Sequence, residues 1–396
     1  MKKILFIVNS GKISPNENGG ASVYYSHLEL LFQSGYEITI LSVVWNEMYA
    51  FNKSDYIEIL PFVKSIQSYE IEIKKPKTGF KRLYNAIFNP AKFEYFFMNK
   101  KNTNFLDSNV KENKIDLVWC EWRWSAIWAC KSNLSLPVLY AHHDWEYKLA
   151  LLRKKPNLNK RFHTFQKKRV EMSLVKEVKA CISGSVTECN EIEKFSNKKA
   201  LYLPTTYQSI TPKLENRSNP VIVHLGGMGT TANRLGLERF LDVCWSNLKN
   251  EFPTIQLQVI GNIKRAQPSL LEKLQDTNIQ CLDFVADLDK VLHPQDIHII
   301  PWEYNTGTRT RIPVVLNYKQ VLVATKASAE CYPEISNENS VLCDDLEDMT
   351  TQIISLYSDR EKLHLLSKKG KSTFEQSFTS KSQFVKLQQF LNSILN

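Results

Sequence analysis

Long hydrophobic runs are missing from this chain: the longest, such as Ile4 to Val8 and Ile297 to Pro301, extend for about five residues, against the roughly 20 that a bilayer-crossing helix needs. No membrane-spanning segment is expected. Lys2 and Lys3 do precede an apolar stretch, but it ends at Asn9 and no small-residue cleavage site follows. A signal peptide is not expected either, and the expected compartment is the cytoplasm. The eight cysteines, at 120, 130, 181, 189, 244, 281, 331 and 343, include no pair two to four residues apart. Zinc-site spacing is therefore absent, and the cysteines read as reduced core thiols, with no metal expected. Also absent are the Gly-x-Gly-x-x-Gly dinucleotide fingerprint, any zinc-finger or RNA-recognition signature, short internal repeats and low-complexity tracts. These gaps argue against a nucleic-acid partner.

What is present is an ordinary globular composition, 43% apolar and 23% charged, in 396 residues. At about 150 residues per domain this length suits two or three domains. The charge is unevenly divided. Through residue 204 there are 31 Lys and Arg against 20 Asp and Glu, whereas the remainder has 20 against 21. Lys74 to Lys101 holds eight basic residues, Lys74, Lys75, Lys77, Lys81 and Arg82 among them, with Glu94 as the one acid and Phe80, Tyr84, Phe88 and Phe93 interleaved. Glu146 to Glu171 encloses nine basic residues and no acid. Each stretch alone reads equally as a solvated basic face. Together in one half of the chain they favour an anionic partner, and the aromatic rings favour an anionic membrane surface.

Short apolar runs alternate with amphipathic stretches, the pattern of a parallel sheet wrapped by helices. Strands are expected at Ile4 to Val8, Glu37 to Val43, Leu117 to Cys120, Pro137 to Tyr140, Lys179 to Ile182 and Ala200 to Leu203. A polar segment from Pro204 to Pro220 reads as a linker. The rhythm then restarts with Val221 to Leu225, Gln256 to Ile260, Ile279 to Leu282, Ile297 to Ile300 and Val321 to Thr325. This predicts an α/β chain of two Rossmann-like domains facing a central cleft, with ligands at the carboxyl ends of the strands.

Four segments at such ends carry candidate chemistry. Gly19-Gly20 opens a helix whose amides could meet an anion, with an ordinary loop as the alternative. Gly226 and Gly227 directly follow a strand, and Asn233 lies in the polar loop beyond them. Thr306-Gly307-Thr308-Arg309 leads into a helix, with Arg311 two residues on. A glycine turn, hydroxyls and fixed cations at a helix start suit the charge that develops on a departing diphosphate. His142, His143, Asp144 and Glu146 follow a strand directly, where a cleft constellation belongs, and Ser183-Gly184-Ser185 marks another cleft edge.

With these residues in order, the chain resembles the retaining GT-B glycosyltransferases of family 4, which build bacterial polysaccharides and glycolipids. The resemblance runs nearly end to end, on KKILFIVNS with Gly19-Gly20, His143-Asp144-x-Glu146, ISGSVTECNEI, HLGGMGTTANRLGLERF and PWEYNTGTRTRIPVVLNYKQVLVAT. It implies an acceptor domain over 1–204, a nucleotide-sugar donor domain over 205–379 and a final helix, 380–396, that packs back on the first. It further implies His143, Asp144, Arg309 and Arg311 as catalytic residues. Gly226, Gly227, Asn233, Thr306, Gly307 and Thr308 join the two arginines as donor contacts, and Gly19, Gly20, His142, Glu146 and Ser183 are acceptor contacts. The reaction implied is metal-free and cofactor-free transfer from a nucleotide sugar to a cell-surface glycan or lipid-linked acceptor. It would take place at the inner face of the membrane, with Lys74, Lys75, Lys77, Lys81 and Arg82 toward the lipid.

One departure stands out. The family's paired glutamates, the second of which holds the donor ribose, fall here on Thr306 and Val314, and Lys319 replaces a usual glycine. Valine accepts no hydrogen bond, so Glu303 or Glu330 must supply the contact, or donor binding is weakened or lost. A non-catalytic glycan- or partner-binding GT-B protein is therefore the alternative, followed by a sugar-nucleotide epimerase.

Overall fold

The computed structural model describes residues 1–45, 50–73, 80–91, 97–152 and 157–395, with backbone alone at 80–83. It separates into two compact units, one of 1–204 with 306–308 and 383–396, the other of 205–305 with 309–382.

The first unit is built on a seven-stranded sheet in the order β3-β2-β1-β4-β5-β6-β7. Its strands are β1 (Lys3–Asn9), β2 (Glu37–Val44), β3 (Ser65–Glu70), β4 (Leu117–Glu121), β5 (Val138–His142), β6 (Ala180–Ser183) and β7 (Ala200–Tyr202). All neighbours pair in parallel. Continuous runs such as Ile4 to Val8 and Leu117 to Cys120 are buried on both faces, as helices on either side of a parallel sheet require. The order reverses between β1 and β4, which opens a crevice at their carboxyl ends. Beyond β1, Asn18 caps the Gly19–Gln33 helix by accepting from the amides of Gly20 and Ala21. From Gln383 on, the Ser380–Leu395 helix buries Leu387 and Leu391 with Ile4, Phe6 and Leu28, and Lys2 Nζ donates to the Leu395 carbonyl at 2.6 Å.

The second unit repeats the plan with six parallel strands in the order β10-β9-β8-β11-β12-β13. They are β8 (Ile222–Leu225), β9 (Leu257–Ile260), β10 (Ile279–Leu282), β11 (Ile297–Ile300), β12 (Val321–Thr325) and β13 (Val341–Cys343). Here the reversal falls between β8 and β11. The glycine turn after β8 and residues 301–305 after β11 therefore occupy the carboxyl ends at the switch point.

Two strands escape a reading by apolar runs. β3 is the polar hexapeptide SIQSYE on a sheet edge, and β13 has three residues. The eight cysteines are free thiols, and six of them are buried.

Candidate functional site

In the first unit the residues at the carboxyl ends form two linked polar clusters. Side chains alternate across a strand, so the consecutive residues His142 and His143 reach different partners. His142 is buried, with Nδ1 2.9 Å from Glu188 Oε2. Burial works against a charge on this ring, but Glu188 outweighs it, and the pKa lies above the ordinary value. Glu188 belongs to the Val186–Ser196 helix, which Ser185 caps. Its carboxylate also accepts from Ser183 Oγ at 3.4 Å and, through Oε1, from the Gly307 amide at 3.1 Å. Gly307 has φ +65°, and a Cβ there would lie 1.6 Å from Asp144 Oδ1, so glycine is required both by the backbone and by the space. Thr308 packs its side chain on Gly184, and Thr306 is buried.

The other cluster centres on Glu121, the last residue of β4 and fully buried. His143 Nε2 lies 2.7 Å from its Oε2, while His27 Nδ1 at 2.7 Å and the Trp119 indole N–H at 2.8 Å share Oε1. Burial opposes ionisation of this acid, but His27 and His143 outweigh it and hold the pKa down at about 2. The His143 ring stacks on Trp122 at 4.6 Å.

Glu146 points elsewhere. It pairs with Arg123 and with Lys167 at 2.7 Å, and Arg123 also holds the buried Glu171 at 2.7 Å. The amides of Gly20 and Gly307, candidates for an anion, are taken by Asn18 and Glu188.

In the second unit Arg311 opens its helix at the switch point and is nine-tenths buried. Its Nη1 donates to the Leu225 carbonyl and lies 3.3 Å from His224 Nε2. Among the described residues no carboxylate pairs with it. Burial, then Arg309, pulls its pKa down, yet a guanidinium stays charged in a protein. Gly226, at φ +144°, lets Arg311 and Asn233 close over the turn: a Cβ there would sit 2.3 Å from Asn233 Nδ2 and 3.2 Å from Arg311 Nη1. Asn233 Nδ2 donates to the Gly227 carbonyl at 3.2 Å. Arg309 lies over the Trp302 ring at 5.8 Å. His224 and His298 are buried beneath, both with depressed pKa values caused first by burial.

Val314 packs in an apolar cluster with Val223, Ile260 and Leu292. Glu303 pairs with Arg239 at 3.2 Å, and Glu330 accepts from Asn305 at 2.7 Å. Lys74, Lys75 and Lys77 lie outside the described residues, as do the side chains of Lys81 and Arg82 on the Phe80–Phe88 helix.

Sequence reading passed over Glu121, His27, Trp122 and Glu188. The available signal was an acid closing the otherwise apolar strand LVWCE at the switch point.

Two Rossmann-like units, with polar side chains gathered at the carboxyl ends of parallel strands, define the GT-B class. Residues 219–359 match the family model described as Glycosyl transferases group 1. Residues 219–359 thus carry a glycosyl transferase group 1 domain, and the chain as a whole has the GT-B fold of solved glycosyltransferases. No curated protein matches it in sequence. Among solved structures it is similar to a variant of S. aureus TarM in complex with fondaparinux, alpha-GlcNAc-glycerol and UDP, at 11% identity, TM-score 0.71 and 100% coverage of both chains. Anabaena HepE in complex with UDP and glucose has 12% identity and TM-score 0.68 over 99% of this chain and 100% of its own. Sucrose-phosphate synthase from Thermosynechococcus elongatus has 12% identity and TM-score 0.70 over 99% of each chain.

Proposed function

We propose that the protein moves a sugar from a nucleotide-sugar donor to a cell-surface glycan or lipid-linked acceptor, with retention of anomeric configuration. The observation that carries this reading is Arg311. A buried guanidinium without a carboxylate is costly unless an anion completes it, and a leaving diphosphate is such an anion. Arg309 joins it in neutralising the leaving group, so the reaction needs no metal. UDP in the TarM and HepE complexes supports a nucleotide donor. His143 contacts the sugar.

We further place the protein at the cytoplasmic face of a membrane. The support is that the two basic, aromatic stretches meet: Gln166 Nε2 and Arg169 Nη1 donate to the Ala86 carbonyl at 2.9 and 3.0 Å. Tyr84, Ile87, Phe88, Phe162 and Phe165 stay exposed around this junction. Among the described residues no helix is long and apolar enough to cross a membrane. Neutralising Lys81 and Arg82 together with Phe162→Ser and Phe165→Ser should release the protein from anionic vesicles. Unchanged sedimentation defeats the placement.

Thermal shift against UDP, GDP, ADP, CMP and dTDP, alone and with their common sugars, tests the donor site, because a ligand of the folded state raises the melting temperature. A rise with one nucleotide, abolished by Arg309→Ala, supports the enzyme and names its donor class. No rise at millimolar concentration favours a non-catalytic glycan-binding GT-B protein, the reading to which Val314 in its apolar cluster points.

A further inference from the structure

His143 is held from three sides, and two of the holding groups are consecutive residues. Glu121 meets Nε2 at 2.7 Å, Trp122 stacks on the ring face with 23° between planes, and Tyr24 stands edge-on at 5.9 Å. The Trp122 indole N–H in turn donates to the Tyr24 hydroxyl. Trp122 has φ +69°, a left-handed backbone that is unfavourable for a bulky residue and persists where the surroundings over-determine it. That turn brings the carboxylate of one residue and the indole of the next onto the same imidazole.

The direction of the proton follows from the donors. The Trp119 indole can only donate, and Glu121, buried against two histidines and that indole, is an ionised acceptor. Nε2 of His143 therefore carries hydrogen. Nδ1 is the ring's other nitrogen; no described residue hydrogen-bonds to it, and the side chain keeps 12% exposure. In the neutral ring it is a lone-pair acceptor.

We propose that Glu121 is the positioning residue of His143: it locks the Nε2–H tautomer and leaves Nδ1 to accept a hydrogen bond from a substrate hydroxyl, while Trp122 fixes the ring plane. The identity of that hydroxyl as a sugar's rests on the glycosyltransferase reading; the tautomer does not. A glutamine at 121 would offer one acceptor and one donor where the carboxylate offers two acceptors, so His27 and His143 would compete for it.

The test uses the full chain labelled with ¹⁵N-histidine, with His143 assigned by loss of its signals in His143→Asn. The wild type should show a protonated Nε2 and a bare Nδ1 at His143. Glu121→Gln should mix the tautomers and lower kcat about 10- to 100-fold, as a misplaced reacting group does, with donor KM within about threefold. Glu121→Asp should recover part of both. A protonated Nδ1 in the neutral ring of the wild type overturns the proposal without any variant, and so does a folded Glu121→Gln protein whose ring signals are unchanged. Should the wild type transfer no sugar, the functional reading fails, while the ring signals still decide the role of Glu121.

Discussion

The polar interiors of the two units are completed differently. In the first, Glu121 faces His27 and His143, Glu188 faces His142, and Glu171 faces Arg123. In the second, Arg311 is buried against a carbonyl and a histidine that burial keeps neutral. The first unit holds its site geometry from its own charges. In the second, among the described residues, no carboxylate reaches Arg311, and the proposed donor site rests on that deficit.

The largest effect that bears on this contrast is expected from Arg311→Met. Nucleotide affinity should fall about 100-fold or more, the worth of a charge-assisted contact to phosphate. Melting temperature without ligand should stay level or rise, because methionine fills the space and removes an unpaired buried charge. If the variant instead unfolds, the guanidinium serves the fold and the contrast is broken. Gly307→Ala should cost about 2–4 kcal/mol by denaturant unfolding, from the positive φ and the collision with Asp144. A loss under about 0.5 kcal/mol would show that the loop relaxes freely.

Acidification should separate the units. His224 and His298 stay neutral in the fold, the latter with a pKa of about 3 against an ordinary 6.5. As pH falls below 6.5 the unfolded chain takes up protons the folded unit refuses, so stability drops. Asp296, raised to about 6 by burial, offsets part of this between pH 6 and its ordinary 3.8, because there the fold binds the proton first. In the first unit His142 and Glu171 have raised pKa values and add stability as pH falls. Loss there begins only as pH drops below 4.5 toward the value of about 2 at which folded Glu121 protonates. Hydrogen exchange from pH 7 to 5 should therefore open β8 to β13 before β1 to β7, and the reverse order would contradict the charge assignments.

Smallest is Val314→Thr. A hydroxyl placed in the cluster of Val223, Ile260 and Leu292 should cost about 1 kcal/mol and leave nucleotide affinity within about twofold. A tenfold change would put residue 314 in the donor site after all.

How much of this was legible in the sequence depended on the range of the interaction. Eleven of the strands lie where short β-branched and apolar runs are bounded by polar turns, since burial on both faces of a parallel sheet leaves that mark locally. β3 left none because an edge strand tolerates polar residues, and β13 is too short for a pattern. The glycine turns at 226–227 and 307 were readable for the same local reason, as were the histidines at the carboxyl end of β5.

What those histidines touch was not. His27 and Glu121 are 94 residues apart along the chain, and His142 and Glu188 are 46 apart. No period or spacing encodes such a pair. The amide of Gly20 reads as free until its cap is seen, and Glu146 reads as a cleft acid until Arg123 and Lys167 claim it. The amino-acid sequence by itself determined the two parallel sheets and the segments at their carboxyl ends, because strand burial and glycine turns are local demands. Only the tertiary structure decided which charges are matched and that, among the described residues, no carboxylate reaches Arg311, because a low-dielectric interior sets charge pairing through space.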